Sequence, residues 1–210
     1  AYPSAVTDGL VRRIAGESKI ATYLDVPMQH IDSDVLKKMR RGYGEKRVRE
    51  LVDDLRDPAK VGDAHVWLRT TMLVGHPGES DAAYQRLYDF VAEGQIDHLG
   101  VFPWSREEGT ASALLPARVL NKKAEQRAAA LMQLQEGIRA RKHAALVGTE
   151  IAVMVDGASE DSELLLDGRH EGQAPGIDGK VILTDGTARP GDVVRAIVTQ
   201  AGPHELVASM

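Results

Sequence analysis

The sequence contains no cysteine. This absence excludes disulfide bonds, thiolate nucleophiles and cysteine-ligated zinc or iron sites from these 210 residues. The seven histidines show no HxH or HExxH spacing, so the sequence predicts no histidine-based metal site. The segment GHPGES at residues 75–80 lacks the GxxxxGK[ST] pattern of a Walker site, and locally it indicates a turn from a strand into a helix.

Long apolar runs are also missing. No run reaches the roughly 18–20 residues that are needed to cross a bilayer, and the first ten residues lack the pattern of a signal peptide. Hydrophobic residues make up 43% and charged residues 27% of the chain, as is usual for globular proteins. We therefore expect a soluble, cytoplasmic protein without a membrane partner.

The beginning of the sequence suggests a piece of a longer protein. It starts with AYP, without Met, and passes at once into helical periodicity through Leu10 and Ile14. We expect this chain to be the C-terminal part of a larger enzyme. Any cysteine-ligated site of that enzyme would then lie elsewhere.

Charge is unevenly distributed along the chain. Residues 148–210 contain eleven acidic and four basic residues, a net charge of −7, which leaves +2 for residues 1–147. A stretch with this charge repels phosphate backbones, whereas a nucleic-acid-binding domain usually presents a basic face. The charge therefore favours a basic partner.

Residues 1–115 repeat the order strand, loop, helix. This order predicts parallel strands in a barrel or a doubly wound sheet. Ligands bind at the carboxyl ends of the strands in both architectures, so the following loops, at 27–30, 75–80 and 102–110, form the candidate site. The apolar periodicity predicts strands at 20–26, 65–74 and 96–102, and helices at 4–17, 45–56 and 81–93.

A short helix is predicted after the first strand. Asp32 or Ser33 would cap its N-terminus, and Gly42 would mark its end. The basic cluster, defined here as Lys37, Lys38, Arg40 and Arg41, falls at its C-terminus. This position is favourable for the helix dipole.

The remaining sequence divides into a linker helix and a small barrel. Residues 116–147 show one apolar side with interleaved Arg and Lys, and residues 148–210 consist of short alternating runs separated by Gly and Pro. Short runs at this spacing predict a small antiparallel barrel. We thus expect three parts, at 1–115, 116–147 and 148–210.

Two side chains in the loops have open interpretations. His30 follows a predicted strand and could act as a general acid or base, but a lone histidine is more often structural. Trp104 follows the third strand, where local packing is the default interpretation and its position is the hint of function.

Four segments in this order resemble one family, the radical S-adenosylmethionine (SAM) methylthiotransferases. The segments are DVPMQHIDSDVLKKMRRG (25–42), LRTTMLVGHPGES (68–80), VFPWSREEGTASA (101–113) and GRHEGQAPGIDGKV (168–181). The resemblance implies an α/β fold, the C-terminal half of a radical SAM partial (β/α) barrel, followed by a small antiparallel TRAM barrel that is OB-like. The departures are Trp104, where the family usually has Tyr, and His76, where it usually has Phe.

Two branches of this family differ in substrate. One modifies an adenosine of tRNA, and the other, the RimO type, modifies an aspartate of a small-subunit ribosomal protein. Arg69-Thr70-Thr71, Met39-Arg40-Arg41 and APGIDGKV resemble the RimO versions of the motifs, and the acidic barrel suits a basic ribosomal protein. The alternatives are the tRNA branch and a non-catalytic TRAM module that docks on the ribosome.

The resemblance also implies cofactors and contacts. The full enzyme would use SAM and two 4Fe-4S clusters, with flavodoxin or ferredoxin as electron donor, and would abstract hydrogen from the aspartate β-carbon before inserting a methylated sulfur. Because the cluster-binding cysteines are absent, the isolated chain is expected to be inactive. Gln29, Thr71, Gly75 and Phe102 would contact SAM, with Arg40 at its carboxylate. No residue is assigned as a catalytic acid or base.

Overall fold

The computed structural model describes residues 2–160, 162 and 164–210, and it divides into two compact units. The first comprises Ala1–Gln135 and the second Glu136–Met210. In the described residues, none of the helices combines the length and apolar character that crossing a membrane requires. Each unit is presented separately below.

The first unit is built on a parallel sheet of three strands in the order β1-β2-β3. Leu24 pairs with Leu68, and Thr71 pairs with Gly100. The strands are β1 (Tyr23–Asp25), β2 (Trp67–Val74) and β3 (His98–Pro103). The predicted parallel arrangement is confirmed, although β1 is shorter than the predicted strand at 20–26.

Beyond β1 the chain continues along β2 without regular pairing, because Pro27 has no N–H to donate. The Thr70 hydroxyl takes over part of the ladder, since it donates to the Val26 carbonyl at 2.8 Å and accepts from the Met28 N–H at 3.1 Å. The Gln29 N–H then donates to the Thr71 carbonyl at 2.9 Å. The buried Thr70 hydroxyl therefore supplies hydrogen bonds to the backbone on both sides of Pro27.

Helices cover one face of the sheet. On β2, alternate residues Leu68, Met72 and Val74 are fully buried, whereas Thr71 and Leu73 on the other face are half-buried. The helices are α1 (Asp8–Gly16), α2 (Ser33–Lys38), α3 (Glu45–Asp54), α4 (Pro58–Val61), α5 (Asp81–Ala92) and α6 (Asn121–Ala144), with 3-10 turns at Pro3–Ala5 and Ala111–Leu114. The sequence prediction omitted α4, and α6 is shorter than the predicted linker at 116–147.

Polar caps fix where the helices begin. Thr7 accepts a hydrogen bond from the Leu10 N–H at 3.3 Å, and Ser80 accepts one from the Ala83 N–H at 3.1 Å. Asp32, one of the two predicted caps of α2, accepts from the N–H groups of Asp34 and Val35, each at 3.0 Å. These bonds satisfy amides that have no partner within the helix.

The end of α2 differs from the prediction. The left-handed residue after the helix is Arg40, with φ +56°, and not Gly42. The Arg40 N–H donates to the Lys37 carbonyl and the Arg41 N–H to the Leu36 carbonyl, which is the bonding pattern of a Schellman motif. A glycine would adopt this conformation at a lower conformational free energy. Arg40 therefore occupies a position where the backbone conformation favours glycine.

The second unit contains a closed barrel of five strands in the order β4-β5-β6-β8-β7, with β7 pairing back to β4. The inward side chains, mostly Val, Leu and Ala, form one buried cluster. The strands are β4 (Glu150–Ala158), β5 (Leu166–Arg169), β6 (Lys180–Leu183), β7 (Val193–Ala201) and β8 (Glu205–Ser209). The predicted barrel is confirmed, but β6 and β8 pair in parallel, so it is not wholly antiparallel.

Two glycines in the turn before β6 differ in how closely other atoms surround them. Both have positive φ, +94° at Gly179 and +68° at Gly176. A Cβ on Gly179 would lie 2.0 Å from the His204 carbonyl oxygen, whereas one on Gly176 would meet nothing within 4 Å. The clash at Gly179 involves backbone and cannot be relieved by a rotamer change.

We predict that Gly179→Ala lowers the free energy of unfolding of the barrel by about 3–4 kcal/mol, from strain plus the clash. The control Gly176→Ala should cost about 1 kcal/mol, since only the backbone conformation is penalised. Urea unfolding followed by circular dichroism measures both. Equal losses in the two variants would show that the contact with His204 is not tight.

Candidate functional site

The three predicted loops leave the same edge of the parallel sheet. The Trp104 N–H donates to the Val74 carbonyl at 2.7 Å, so the chain after β3 stays beside the end of β2. The rings of Trp104 and His76 lie edge to face, with centroids 6.1 Å apart. Gln29 forms an isolated parallel bridge with Met72. The loops at 27–30, 75–80 and 102–110 therefore meet at the carboxyl edge, as expected.

A cavity of about 330 Å³ lies at this edge. It is bordered by the end of α2, the end of β2, the loops after β2 and β3, and the second 3-10 turn. The lining residues are Lys38, Met39, Arg40, Arg41, Leu73, His76, Trp104, Ala111 and Ser112. Three of these side chains are cationic and none is acidic, so the cavity favours an anionic ligand.

The basic cluster has no acidic partner among the described residues: no carboxylate there lies within 4.0 Å of these four side chains. Lys38 Nζ instead donates to the Gly78 carbonyl at 3.0 Å. The Nε of Arg41 is buried and has no hydrogen-bond partner within the described chain, while its guanidinium lies 5.9 Å from the centroid of the Tyr2 ring. A buried donor without a partner is costly, so this Nε is available to a ligand atom.

His76 forms a neutral wall of the cavity. The ring is buried, and its Nδ1 lies 3.1 Å from the Pro77 carbonyl oxygen. Because a carbonyl can only accept, Nδ1 carries the proton in this pair. Burial lowers the pKa of His76 below its ordinary value, with the Pro77 contact opposing the shift. The ring is therefore neutral at neutral pH.

The loop after β2 is closed by Glu79. The Gly75 N–H donates to the Glu79 carboxylate, and Arg127 Nη1 lies 3.0 Å from Glu79 Oε1. Arg127 Nη2 also contacts Asp81 Oδ1 at 2.5 Å. Burial raises the pKa of Glu79, while Arg127 and the backbone N–H groups oppose this shift. An ion pair between α6 and the loop thus sets the shape of the loop.

His30 has a structural role. It is fully buried, and its Nδ1 accepts a hydrogen bond from the Asp32 N–H at 2.9 Å. Burial lowers the pKa of His30 to about 4, so the imidazole is neutral at neutral pH. Asp32 in turn is paired with Arg86 of α5. These contacts fix the loop after β1 and favour the structural interpretation of His30.

The five sequence-predicted contacts do not all line the cavity. Arg40 does, whereas Thr71 and Phe102 lie on the open face of the sheet beside Gly100: a methyl group added at Gly100 would be 3.8 Å from Thr71 Oγ1 and 3.7 Å from Phe102 Cε2. Phe102 is 58% exposed. Gln29 has φ +67° beside β2, and Gly75 lies under α6.

Gly75 is confined by its surroundings. Its φ is +78°, and a Cβ there would lie 2.3 Å from the Ala124 Cβ. A substitution at this position would therefore push α6 away from the loop.

Sequence reasoning did not place Lys38, Arg41 and Ser112 in the candidate site. Two signals were available. One was the run of basic residues at the end of a short helix, which also fits favourable interaction with the helix dipole. The other was the family resemblance of segments 25–42 and 101–113, which contain these three residues.

Comparison with known proteins identifies a TRAM domain at residues 147–210. Along its whole length the chain is similar to proteins named ribosomal protein uS12 methylthiotransferase RimO. It is 44% identical to the Geobacter sulfurreducens protein over 207 residues, which cover 99% of this chain and 45% of the relative. It is 43% identical to the Sorangium cellulosum protein over 209 residues, covering 100% and 42%.

A solved structure also matches: coproporphyrinogen III oxidase (HemN) from Escherichia coli, titled a radical SAM enzyme. The match has a TM-score of 0.48 and 13% identity, and covers 81% of this chain and 45% of that chain.

The curated relatives and the TRAM match bear out the resemblance to methylthiotransferases that the sequence motifs predicted. Three relatives at 41–44% identity, from Geobacter, Sorangium and Geotalea, are all named RimO. The chain spans about half the length of the curated relatives it matches, 45% in the case of the Geobacter protein.

We predict that Arg127→Met destabilises the first unit by about 3–5 kcal/mol, because it leaves the buried Glu79 carboxylate without a countercharge. The control Lys123→Met, which removes the exposed partner of Asp81, should change stability by about 0.5 kcal/mol or less. Urea unfolding at neutral pH measures both. Equal effects would contradict a special role of the buried pair.

The pH dependence of Arg127→Met provides a second check. With the pKa of Glu79 raised by burial and no longer opposed by Arg127, the folded state binds a proton more tightly than the unfolded state. The variant should therefore gain stability as the pH falls from neutral, and the double variant Glu79→Gln/Arg127→Met should lose this gain.

Proposed function

We propose that this chain is part of a RimO-type enzyme that methylthiolates the β-carbon of an aspartate in ribosomal protein uS12. The observation that carries the proposal is 41–44% identity, over at least 99% of the chain, to curated proteins named for methylthiotransfer to uS12. The cationic cavity at the carboxyl edge of the sheet supports it, because both SAM and an aspartate bring a carboxylate.

Two 4Fe-4S clusters are proposed for the full enzyme, but not for this chain. Thiolates are the usual ligands of such clusters, and the chain has none. No group of three or more His, Asp or Glu among the described residues could hold a metal ion. The isolated chain is therefore proposed to be inactive, and a flavodoxin or ferredoxin would supply electrons to the complete enzyme.

In contrast to the clusters, SAM finds suitable binding groups in the first unit. The open face of the sheet presents Thr71 and the exposed Phe102 ring side by side, and Arg40 stands at the adjoining cavity. We propose that Thr71, Phe102, Gln29 and Gly75 contact SAM and that Arg40 pairs with its carboxylate. When bound, SAM supplies the radical that removes a hydrogen atom from the substrate; the residues named here bind and orient it.

The barrel is proposed to recognise a basic protein rather than tRNA. Residues 148–210 carry a net charge of −7 and contain no Phe, Tyr or Trp. OB-like barrels that bind single-stranded nucleic acid combine a basic groove with aromatic rings on which bases stack. Both features are missing from this sequence segment, which disfavours the tRNA branch.

The enzymatic proposal is tested with a chimera in which the residues of the Geobacter relative outside the match precede this chain. With reconstituted clusters, SAM, reductant, a sulfide source and uS12, the chimera should add one methylthio group in place of a hydrogen on one aspartate, the methyl coming from SAM and the sulfur from sulfide. The isolated chain should add none. Tandem mass spectrometry of uS12 measures this. Modification of a tRNA adenosine instead of uS12 would contradict the proposal.

The partner proposal is tested by binding of the 210-residue chain to uS12 and to tRNA. We expect uS12 to bind with an affinity that falls as salt rises, because charges separated by more than about 8–10 Å are screened at physiological ionic strength. The variant Glu171→Lys/Glu205→Lys should slow association with uS12 by about tenfold. Its control, Asp63→Lys/Glu125→Lys, makes the same charge change at exposed residues outside the barrel and outside the three loops of the candidate site.

Surface plasmon resonance measures the association rates. Tight, salt-sensitive binding of tRNA, or equal slowing by both variants, would show that the acidic barrel does not select uS12.

A further inference from the structure

We propose that the cavity at the carboxyl edge of the sheet binds the side-chain carboxylate of the acceptor aspartate, with Lys38 and Arg41 as the residues that hold it. The inference rests on the proposed function, since it takes the substrate to be an aspartate. It goes further by assigning a substrate subsite to Lys38 and Arg41, to which neither the sequence motifs nor the relatives' names give a role.

The charge of the cavity determines the class of ligand. Lys38, Arg40 and Arg41 line it, no acidic residue does, and no carboxylate in the described parts of the chain pairs with them. Three cations around 330 Å³ leave more positive charge than the single carboxylate of SAM would neutralise. With Arg40 pairing with SAM, the other two cations remain for a second carboxylate.

The hydrogen-bonding state of the two side chains supports the same assignment. Arg41 Nε is buried without a partner, and Lys38 Nζ uses one of its three donors on the Gly78 carbonyl. A Cβ on Gly78 would come within 2.5 Å of Lys38 Nζ, so the ammonium group lies against the loop after β2. Donors positioned in this way suit a carboxylate, which accepts several charged hydrogen bonds.

The backbone at Arg40 is a further sign of function. A non-glycine residue with φ +56° costs about 1–2 kcal/mol relative to glycine, and the Schellman motif would form at least as well with glycine there. The turn at Arg40 brings Lys38, which precedes it in the chain, and Arg41, which follows it, to the same cavity. Local strain of this kind is found at ligand-binding sites.

Position separates this subsite from the one proposed for SAM. Four of the five proposed SAM contacts do not line the cavity, which is reached from the rim of the sheet. Leu73 joins the two regions, since it lines the cavity and lies on the same face of β2 as Thr71. In aspartate the β-carbon is bonded directly to the carboxylate carbon, so holding the carboxylate positions the carbon that loses hydrogen.

The binding test uses the fluorescence of Trp104 in the 210-residue chain. Trp67→Phe removes the second tryptophan, so emission then reports the cavity wall alone. N-acetyl-aspartate N-methylamide should change the emission at constant ionic strength, and the asparagine analogue should not. Lys38→Gln and Arg41→Gln should each weaken binding about tenfold or more, as expected for loss of a charged hydrogen bond.

Lys37→Gln is the matched control, because Lys37 belongs to the same basic cluster but does not line the cavity. It should leave the affinity unchanged. An equal response to the asparagine analogue, no response to either analogue, or equal weakening by Lys37→Gln and Lys38→Gln would overturn the inference. Displacement of the aspartate analogue by SAM, but not by decarboxylated SAM, would also overturn it and assign the cavity to SAM.

Kinetics of the chimera separate this inference from the proposed function. Lys38→Gln and Arg41→Gln should raise the KM for uS12 about tenfold and leave the KM for SAM unchanged. An active chimera with an unchanged KM for uS12 would refute the subsite alone. Binding of the aspartate analogue by a chimera that never modifies uS12 would refute the proposed function and not the subsite.

Discussion

The buried ion pair between Glu79 and Arg127 is the interaction on which the candidate site depends. At the end of β2 the chain turns through Gly75 in a left-handed conformation, and this leaves a backbone N–H that needs an acceptor. Glu79 supplies the acceptor, and Arg127 neutralises the buried carboxylate from α6. This ion pair sets the position of His76. Because the His76 ring contacts Trp104, the pair also influences where the chain runs after β3.

The two faces of the sheet differ in burial. One face is covered by helices and is fully buried at Leu68, Met72 and Val74, while on the other face Thr71 and Leu73 are half-buried and Phe102 is exposed. The cationic cavity continues this second face at its rim. Several cations held close together without an acidic partner repel one another. This repulsion lowers the stability of the ligand-free chain and favours binding of an anionic ligand.

The sequence predicted the elements better than their detailed contacts. Apolar runs identified three parallel strands, and Asp32 was correctly among the predicted caps, because burial and capping are local. The pairing of Glu79 with Arg127 joins residues 48 apart in the chain and leaves no local pattern. The left-handed conformation of Arg40 was not predicted, because residue type favoured Gly42 for that conformation. The parallel pairing of β6 with β8 was not predicted either, because periodicity does not show which strands pair.

The position of β8 in the barrel has a consequence for biosynthesis. This strand is the last of the five to be made, yet it lies between β6 and β7 and pairs with both. Until residues 205–209 have left the ribosome, β6 and β7 each present an unpaired edge in the nascent chain, and such edges attract other strands. The barrel therefore cannot close during synthesis until β8 has emerged, and up to that point its core is protected by four strands instead of five.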